Sequence, residues 1–314
     1  MTSVMLTGAS GFIGRQCLAV LQSKGYEVHA VSRQRLAWPT SPDTYWHQVD
    51  LLTLGSPTDL ISRVKPTLLL HLAWCATPGS FWVAPENVEW IRASLELLTA
   101  FAKHNGKRVT VAGSCTEYDW TAGECAEDTA LLKPSTLYGT SKDALAKVLH
   151  SWSGTIGLSH AWGRIFHLYG PFEHPSRLVA YGVRCLLEGR PALCSGGSQI
   201  HDFSYVEDVA GALVTLLEAG VQGPVNIGSG TPVAVRDVLS EIGRQIGRPD
   251  LLRFGARDSD PETARIWANT QRLSKEVGWS PRYDLTSGIE QTIEWWRKKI
   301  TTAGMPFAPE NGCV

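Results

Sequence analysis

Short apolar runs rich in branched residues alternate along the chain with longer segments whose apolar residues recur at helical spacing. The apolar runs predict strands at residues 4–6, 27–31, 67–72, 108–112, 161–166 and 225–227. The periodic segments predict helices at residues 13–24, 88–104, 137–152 and 206–219. Because strand–helix alternation favours right-handed crossovers, the pattern predicts an α/β fold with a doubly wound parallel sheet.

After residue 168 the pattern changes to short elements separated by turns, among them Gly170-Pro171 and Gly196-Gly197. This change favours a smaller, interleaved C-terminal lobe built from insertions. We therefore expect one unit over residues 1–168, with a return segment near 202–228, and a second lobe mainly over 169–314. Residues 303–314 have no periodicity and are expected to form a loose tail.

A glycine-rich turn, TGASGFIG, follows the first predicted strand and opens the first predicted helix. Glycines let the backbone turn tightly and approach a pyrophosphate, which then binds to the N–H groups of the helix start. The spacing is GxxGxxG, not GxGxxG, but its position between strand and helix indicates a dinucleotide cofactor. The predicted contacts in this turn are Gly8, Ser10, Gly11, Phe12, Ile13 and Gly14.

The second predicted strand ends in Ser32 and Arg33, with Arg35 nearby. An acidic residue at this strand end would bind the ribose 2′-hydroxyl of NAD, whereas a guanidinium matches a 2′-phosphate. The alternative is an arginine that is only solvated. We therefore favour NADP(H), with NAD(H) as the alternative. Further predicted cofactor contacts are Asp50, Leu51, Leu72, Ala73, Trp74 and Ile165.

Tyr138 and Lys142 lie four residues apart on a predicted helix, so both project from one face. Ser114 follows the fifth strand, at the carboxyl edge where such sheets bind ligands. A free tyrosine has a pKa of about 10, which a lysine and a nicotinamide cation lower toward the working range. A serine hydroxyl can hold the substrate oxygen during proton transfer. A Tyr–Lys pair alone is more typical of a surface helix, but this combination predicts catalysis by Ser114, Tyr138 and Lys142, with the last two also touching the cofactor.

The formal net charge of −1 provides no bulk positive field for nucleic acid or an anionic membrane. The chain has no run of about 18 apolar residues and begins without the pattern of a signal peptide. Its seven cysteines are scattered and form no CxxC pair, which argues against disulfides and a zinc site. We expect a cytoplasmic protein without a metal and without nucleic-acid or membrane partners.

Together these segments resemble the NAD-dependent epimerase/dehydratase family, the extended short-chain dehydrogenases/reductases. The resemblance runs nearly end to end, through TGASGFIG, HLAW, VAGSCTEY, YGTSK, GRIFHLYGP, HDFSYVEDVA, NIGSG and ANTQRLSKEVGWSP. It implies a Rossmann-type sheet that binds a nicotinamide cofactor, and a C-terminal lobe that binds a nucleotide diphosphate sugar. It also implies a homodimer through a four-helix bundle, to which each subunit contributes the helices at 88–104 and 137–152.

The chain departs from the family near Ser114. Sugar 4,6-dehydratases carry Thr-Asp-Glu in the segment that here reads Ser114-Cys115-Thr116, so an acid and a base for eliminating water are missing. Thr116 stands where sugar epimerases have a small hydroxyl residue and the GDP-fucose synthase group has a catalytic cysteine. We interpret the neighbouring Cys115 as a buried structural thiol. The usual asparagine of the helix before the fifth strand corresponds to Arg92, which argues against the usual proton relay.

The predicted substrate contacts are Thr116, His167, His201 and Arg257. His201 replaces the arginine of the family's Arg-Asp-Phe segment, and His167 stands where an asparagine is common. Arg257 matches a diphosphate-binding arginine of the sugar epimerases. For each histidine, a structural hydrogen-bonding role is the alternative.

The resemblance favours an NADPH-dependent reductase of a nucleotide-linked 4-keto-6-deoxysugar, in which hydride attacks the ketone carbon and Tyr138 gives its proton to the oxygen. The first alternative is a nucleotide-sugar epimerase acting at C4, or at C3 and C5. A reductase of small aldehydes or ketones and a nucleotide-sensing protein without turnover are the others. A C4 epimerase usually keeps NAD bound, whereas a reductase exchanges NADP(H), so Ser32-Arg33 favours the reductase.

Overall fold

The computed structural model describes residues 2–34, 41–121, 123–257 and 264–303. Arg35, which is near the predicted strand end, and the predicted tail beyond residue 303 lie outside these ranges. The strands are β1 (Ser3–Thr7), β2 (Glu27–Ser32), β3 (Thr44–Gln48), β4 (Leu68–His71), β5 (Arg108–Ser114), β6 (Gly123–Cys125), β7 (Ser159–Ile165), β8 (His167–Tyr169), β9 (Ala192–Leu193), β10 (Ile200–Tyr205), β11 (Gly223–Ile227), β12 (Pro232–Ala234), β13 (Leu252–Arg253) and β14 (Arg265–Ala268). The α-helices are α1 (Phe12–Ser23), α2 (Ser56–Val64), α3 (Glu86–Lys103), α4 (Leu137–Ile156), α5 (Leu178–Leu187), α6 (Val206–Glu218), α7 (Val235–Ile246) and α8 (Leu285–Ala303).

A seven-stranded sheet in the order β3-β2-β1-β4-β5-β7-β11 forms the centre of the molecule. Every neighbouring pair in it is parallel, which confirms the predicted doubly wound α/β fold. The strand order reverses between β1 and β4. At such a switch point the connections leave to opposite faces and open a crevice at the carboxyl ends of the strands.

Alternate residues of each central strand supply two hydrophobic cores, one on each face of the sheet. Leu6 packs into the core that α1 and α6 share. Met5, its neighbour on β1, packs into the core that contains residues of α2, α3 and α4. Burial on both faces explains why the central strands are continuous apolar runs.

The second lobe contains a smaller sheet in the order β12-β10-β14-β6, with β8 paired to β10. β9 and β13 form a separate two-stranded pair. Helices α5, α7 and α8 pack on this lobe around Val183, Leu239 and Ile293. β6 comes from the first half of the chain, whereas β11 returns to the large sheet. The interleaving is therefore denser than the pattern indicated, and the division at residue 168 stays a prediction. Among the helices of the described ranges, none is long and apolar enough to cross a membrane.

Candidate active site at the carboxyl edge of the large sheet

The predicted cofactor contacts lie together along one edge of the large sheet. The glycine turn connects β1 to α1, Ser32 and Arg33 stand at the end of β2, and Leu72 to Trp74 follow β4. Asp50 and Leu51 follow β3, while Ser114 and Ile165 are the paired last residues of β5 and β7. Parallel strands place all these positions at their carboxyl ends, where ligands bind in open α/β sheets.

Two glycines of the turn bring backbone segments closer together than any residue with a side chain would permit. Gly8 has a φ of +70°, and a Cβ on it would lie 2.9 Å from the backbone nitrogen of Ala73. A Cβ on Gly14 would overlap the carbonyl oxygen of Gly8. Helix α1 begins at Phe12, and no side chain of the described residues caps its first N–H groups. The turn therefore forms a cradle whose N–H groups fit the pyrophosphate of a dinucleotide.

A buried hydrogen-bond chain fixes the turn to β4. The Thr7 hydroxyl accepts the N–H groups of Leu72 and Ala73, at 3.1 and 3.2 Å. Because its two lone pairs are filled, it donates to Nδ1 of His71 at 2.7 Å. Nε2 of His71 then carries the proton toward the Ser94 hydroxyl, 2.9 Å away. Burial lowers the pKa of His71 to about 3, so this imidazole is neutral and structural.

The end of β2 is tied to the glycine turn by the Ser32 hydroxyl, which lies 3.0 Å from the Ser10 hydroxyl and also donates to the Gln34 carbonyl at 2.9 Å. Ser32 itself is buried. Arg33 is exposed beside it, so its guanidinium is available at the edge where the adenosine ribose of a cofactor would lie.

Lys142 is almost fully buried, at 3% exposure, on the face of α4 that packs on the sheet. Its ammonium donates to the Ala112 carbonyl at 2.8 Å and lies 3.8 Å from the centre of the Trp74 ring. It lies 5.9 Å from the centre of the Tyr138 ring. Burial lowers the pKa of Lys142 to about 7, while the charge of Glu117 opposes that shift. The lysine can therefore change its charge near neutral pH.

Two hydrogen bonds from Thr116 leave the Ser114 hydroxyl to act as a donor. Its hydroxyl oxygen accepts both the backbone N–H and the hydroxyl of Thr116, at 3.2 and 3.0 Å. With both lone pairs filled, the Ser114 hydroxyl is left to donate its own hydrogen. Burial raises the pKa of Tyr138 above its usual value, and the hydrogen bond with Ser114 opposes this shift. The structure therefore places Ser114, Thr116, Tyr138 and Lys142 close together, and their roles stay predictions.

Aromatic side chains surround Tyr138. The rings of Trp74, Phe81 and Trp82 stand edge-on to it, with centroids at 6.5, 4.9 and 6.1 Å. The Trp82 carbonyl also accepts the backbone N–H of Tyr138 at 3.1 Å. These contacts cover part of the phenol ring, which is half-buried.

Sequence reasoning missed a buried ion pair directly beneath Ser114. Glu117 and Arg164 lie 2.7 Å apart, at 0% and 4% side-chain exposure. The Glu117 carboxylate also accepts the backbone N–H of Ser114 at 2.8 Å and the indole N–H of Trp162 at 2.9 Å. Arg164 donates further to the Tyr118 hydroxyl at 2.9 Å. A sequence signal existed, because Arg164 is a charged residue inside the apolar run at residues 161–166.

The two predicted substrate histidines stack on each other in the second lobe. The rings of His167 and His201 have centroids 4.2 Å apart, and Trp120 lies edge-on to both, at 5.7 and 5.9 Å. The Nδ1 atoms of both imidazoles are buried without a hydrogen-bond partner within the described residues. Burial lowers the pKa of His201 to about 4 and places that of His167 well below its usual value. Neither ring therefore contributes a positive charge at neutral pH.

Arg257 contacts Tyr181 and Cys194. Its guanidinium stands 4.9 Å from the centre of the Tyr181 ring, and its backbone N–H donates to the Cys194 carbonyl at 3.2 Å. Its role in substrate binding stays a prediction.

The structure does not support a relay role for position 92. Arg92 pairs with Glu89 and Glu96 at 3.1 and 3.2 Å and donates to the Leu52 carbonyl, on the outer side of α3. The ring that faces the active site from this helix is Trp90, which stacks on Trp74 at 5.9 Å.

Cys115 is buried, and burial raises the pKa of its thiol, which agrees with a structural role. The described cysteines, of which it is one, are all unpaired. In the part of the chain that the structure describes, no three His, Cys, Asp or Glu side chains are placed to hold a metal ion.

Comparison with known proteins agrees with this geometry. The model of the NAD dependent epimerase/dehydratase family matches residues 4–228. The UDP-glucuronate 4-epimerase of Thermodesulfobacterium geofontis is 23% identical over 319 residues, covering 94% of this chain and 96% of that protein. The CDP-abequose synthase of Salmonella typhimurium is 24% identical over 332 residues, covering 93% of this chain and 97% of that protein.

Among solved structures, MoeE5 in complex with UDP-glucuronic acid and NAD is 30% identical, with a TM-score of 0.81. The match covers 95% of this chain and all of MoeE5. With the family model spanning more than half of the sequence, the chain belongs to the NAD-dependent epimerase/dehydratase family and is an enzyme of the extended short-chain dehydrogenase/reductase type.

Proposed function

We propose that this enzyme is an NADPH-dependent reductase of a nucleotide-linked 4-keto-6-deoxysugar. The observation that carries the proposal is the arrangement of Ser114, Tyr138 and Lys142 at the carboxyl edge of the large sheet, where Ser114 can only donate its hydrogen. A donor fixed in this way fits an oxygen that gains negative charge as a ketone is reduced. The relatives named above, which act on or bind nucleotide sugars, support the substrate class.

A nicotinamide cofactor, when bound, supplies the hydride. The N–H groups of the glycine turn would hold its pyrophosphate, and the residues at the end of β2 would lie beside its adenosine ribose. Ser114 donates a hydrogen bond to the ketone oxygen, and Tyr138 transfers its phenolic proton to the same oxygen. Lys142 stabilises the phenolate that remains, because its ammonium lies within 5.9 Å of the Tyr138 ring in a site shielded from water.

Elimination of water is not supported by the residues around Ser114. Cys115 and Thr116 stand where the dehydratases of the family carry an acid pair. The nearest acid in sequence, Glu117, is fully buried and engaged by Arg164, Trp162 and the Ser114 N–H, so it cannot reach a substrate.

A C4 epimerase is the second candidate, favoured by the likeness to MoeE5 with bound UDP-glucuronic acid and NAD. The same three side chains would serve it, since oxidation and reduction of C4 use one proton-transfer group in both directions. Mass spectrometry of the nucleotide released from denatured protein separates the two reactions. Retained NAD supports the epimerase, and an empty protein that takes up NADPH supports the reductase.

We expect NADPH to bind more tightly than NADH, because Arg33 is exposed at the strand end where a 2′-phosphate would lie. Arg33→Ala should weaken NADPH binding by about 1.5–3 kcal/mol, the range for hydrogen bonds to charged groups, and leave NADH binding unchanged. Fluorescence titration of both cofactors against both proteins measures this. Equal affinities of the wild type for NADPH and NADH would contradict the prediction.

Arg257 and His201 should differ in their effect on substrate binding. The guanidinium of Arg257 can bind phosphate oxygens through two hydrogen bonds, whereas the pKa of about 4 leaves His201 neutral at pH 8. Arg257→Ala should therefore raise the Michaelis constant for a nucleotide sugar far more than His201→Ala does at pH 8. Steady-state kinetics of the two variants tests this. Unchanged kinetics of Arg257→Ala, with no nucleotide bound by the wild type, would favour a small carbonyl substrate instead.

We also infer a homodimer through α3 and α4, which pack side by side within the subunit. Val88 on α3 and Val148 on α4 are 54% and 45% exposed, which fits two helices that meet a partner. The molar mass in solution tests this.

The unpaired cysteines of the described ranges fit a reducing compartment, so we place the enzyme in the cytoplasm.

A further inference from the structure

The indole ring of Trp74 covers the ammonium of Lys142. Nζ of the lysine lies 3.8 Å from the centre of that ring, where a cation is attracted to the π face, most strongly for indole. The ammonium has three N–H donors, and the described residues engage one of them, which the Ala112 carbonyl accepts at 2.8 Å. Because Lys142 is almost fully buried, water can replace little of what is missing. The Trp74 ring is therefore the second partner of this charge.

The Trp74 ring is itself fixed in place. Its indole N–H donates to Oδ1 of Asn87, on α3, at 2.8 Å. Asn87 is fully buried, and its amide nitrogen donates to the carbonyls of Phe81 and Ala84, both at 2.8 Å. These two donations leave the amide oxygen to face the indole. The Trp90 ring also stacks on Trp74, with centroids 5.9 Å apart. The indole is thus held over the ammonium by side chains that do not belong to the catalytic group.

The same ring borders the catalytic tyrosine. Trp74 stands edge-on to Tyr138, with ring centroids 6.5 Å apart, and the Lys142 ammonium lies 5.9 Å from the centre of the Tyr138 ring. A lysine side chain is long and flexible, so its ammonium needs contacts that fix its position. The Ala112 carbonyl and the Trp74 ring supply two, which leave one N–H for a third partner.

The other charged or titratable groups around this ammonium are few. Glu117 favours its charge but is engaged by Arg164 at 2.7 Å. His71, on β4, is neutral because burial lowers its pKa to about 3. Burial raises the pKa of Tyr138 above its usual value. Between about pH 6 and 8, Lys142, with its pKa lowered by burial to about 7, is therefore the group of this set that changes its charge.

We propose that Trp74 is a positioning residue that keeps the Lys142 ammonium charged and close to Tyr138. The π face of the ring stabilises the ammonium more than the neutral amine. An apolar side chain without a π face at residue 74 should therefore lower the pH at which Lys142 loses its proton. This inference rests on the proposed proton transfer and deepens it, because it identifies what holds the charge that would stabilise the phenolate.

NMR titration of protein labelled with carbon-13 in its lysine side chains measures this pH without a substrate. The Lys142 signal is identified by its absence from Lys142→Met. Trp74→Leu keeps an apolar side chain but lacks the π face, and Trp74→Phe keeps a weaker one. Trp279→Leu is the matched control, because Trp279 is also half-buried but packs on the core that α1 and α6 share. Thermal unfolding of each variant shows that the fold is retained.

We expect the midpoint of the Lys142 titration to fall by about one pH unit in Trp74→Leu and by less in Trp74→Phe. Trp279→Leu should leave it unchanged. A wild-type midpoint in Trp74→Leu would overturn the proposal. A loss of NADPH affinity in that variant at an unchanged midpoint would also overturn it, since Trp74 would then be a cofactor contact only.

Reduction of a TDP-linked 4-keto-6-deoxyglucose by NADPH separates this inference from the proposed function. With a midpoint near 6 instead of 7, Trp74→Leu should turn over about tenfold more slowly than wild type at pH 8 and within about twofold at pH 6. Wild-type turnover by Lys142→Met would overturn the proposed proton transfer. An inactive Lys142→Met beside a Trp74→Leu enzyme with wild-type turnover at both pH values would overturn the role of Trp74 alone. A wild type that does not reduce this probe would count against the proposed function, and the NMR titration would still decide the role of Trp74.

Discussion

Replacing Tyr138 with phenylalanine should lower turnover by about 10²- to 10⁴-fold, the range for loss of a general acid, and leave cofactor affinity near that of the wild type. In the proposed reaction the phenol gives its proton to the ketone oxygen. Phenylalanine lacks that hydroxyl but keeps the ring contacts with Trp74, Phe81 and Trp82. Turnover of the substrate and titration of the cofactor are measured on the same preparations.

Tyr26→Phe is the control for that experiment. The Tyr26 hydroxyl also donates a hydrogen bond, to the Glu218 carboxylate at 2.9 Å. This hydrogen bond is exposed and involves none of the predicted catalytic residues. It should therefore retain full turnover. A Tyr138→Phe enzyme that reduces its substrate at the wild-type rate would show that another group delivers the proton.

The cofactor edge could be predicted from the sequence because its signals are local. The TGASGFIG turn needs only glycines between a strand and a helix, and Tyr138 and Lys142 need only four-residue spacing on one helix. Each prediction depended on neighbours in sequence, and the structure keeps these neighbours together. β3 was harder to predict from the sequence. Thr44–Gln48 is an edge strand with polar and half-exposed residues, and it therefore lacks the apolar run of the central strands.

The groups that tune the site could not be predicted because they depend on contacts between distant segments. Glu117 and Arg164 are 47 positions apart and meet only because β5 and β7 pair in the sheet. The surroundings of Arg92 could not be predicted for a related reason, since matching a residue along a helix leaves open which face of the helix it occupies.

Of the substitutions proposed here, those that break the Glu117–Arg164 ion pair should cause the largest loss in the free energy of unfolding. Glu117→Gln keeps the size of the side chain but removes the charge that compensates a guanidinium at 4% exposure. Loss of one partner from such a buried pair typically costs about 3–5 kcal/mol of the free energy of unfolding, because the remaining charge stays away from water. Urea denaturation of wild type and variant measures the difference.

Two control variants distinguish the cost of burying an unpaired charge from a general loss of stability. Glu117→Leu combined with Arg164→Met removes both charges and should lose less stability than Glu117→Gln alone. Glu89→Gln removes an exposed partner of Arg92 and should change stability by less than about 1 kcal/mol.

Glu117→Gln should also alter the pH dependence of catalysis, which a purely structural defect would not do. The Glu117 charge raises the pKa of Lys142, against the larger lowering effect of burial that sets it at about 7. Removing that charge lowers the pKa further, so Lys142 loses its proton at a lower pH. In the proposed mechanism the charged lysine stabilises the Tyr138 phenolate, so the alkaline limb of the activity profile should move to lower pH in Glu117→Gln. An unchanged profile together with wild-type stability would show that the ion pair neither supports Ser114 nor reaches Lys142.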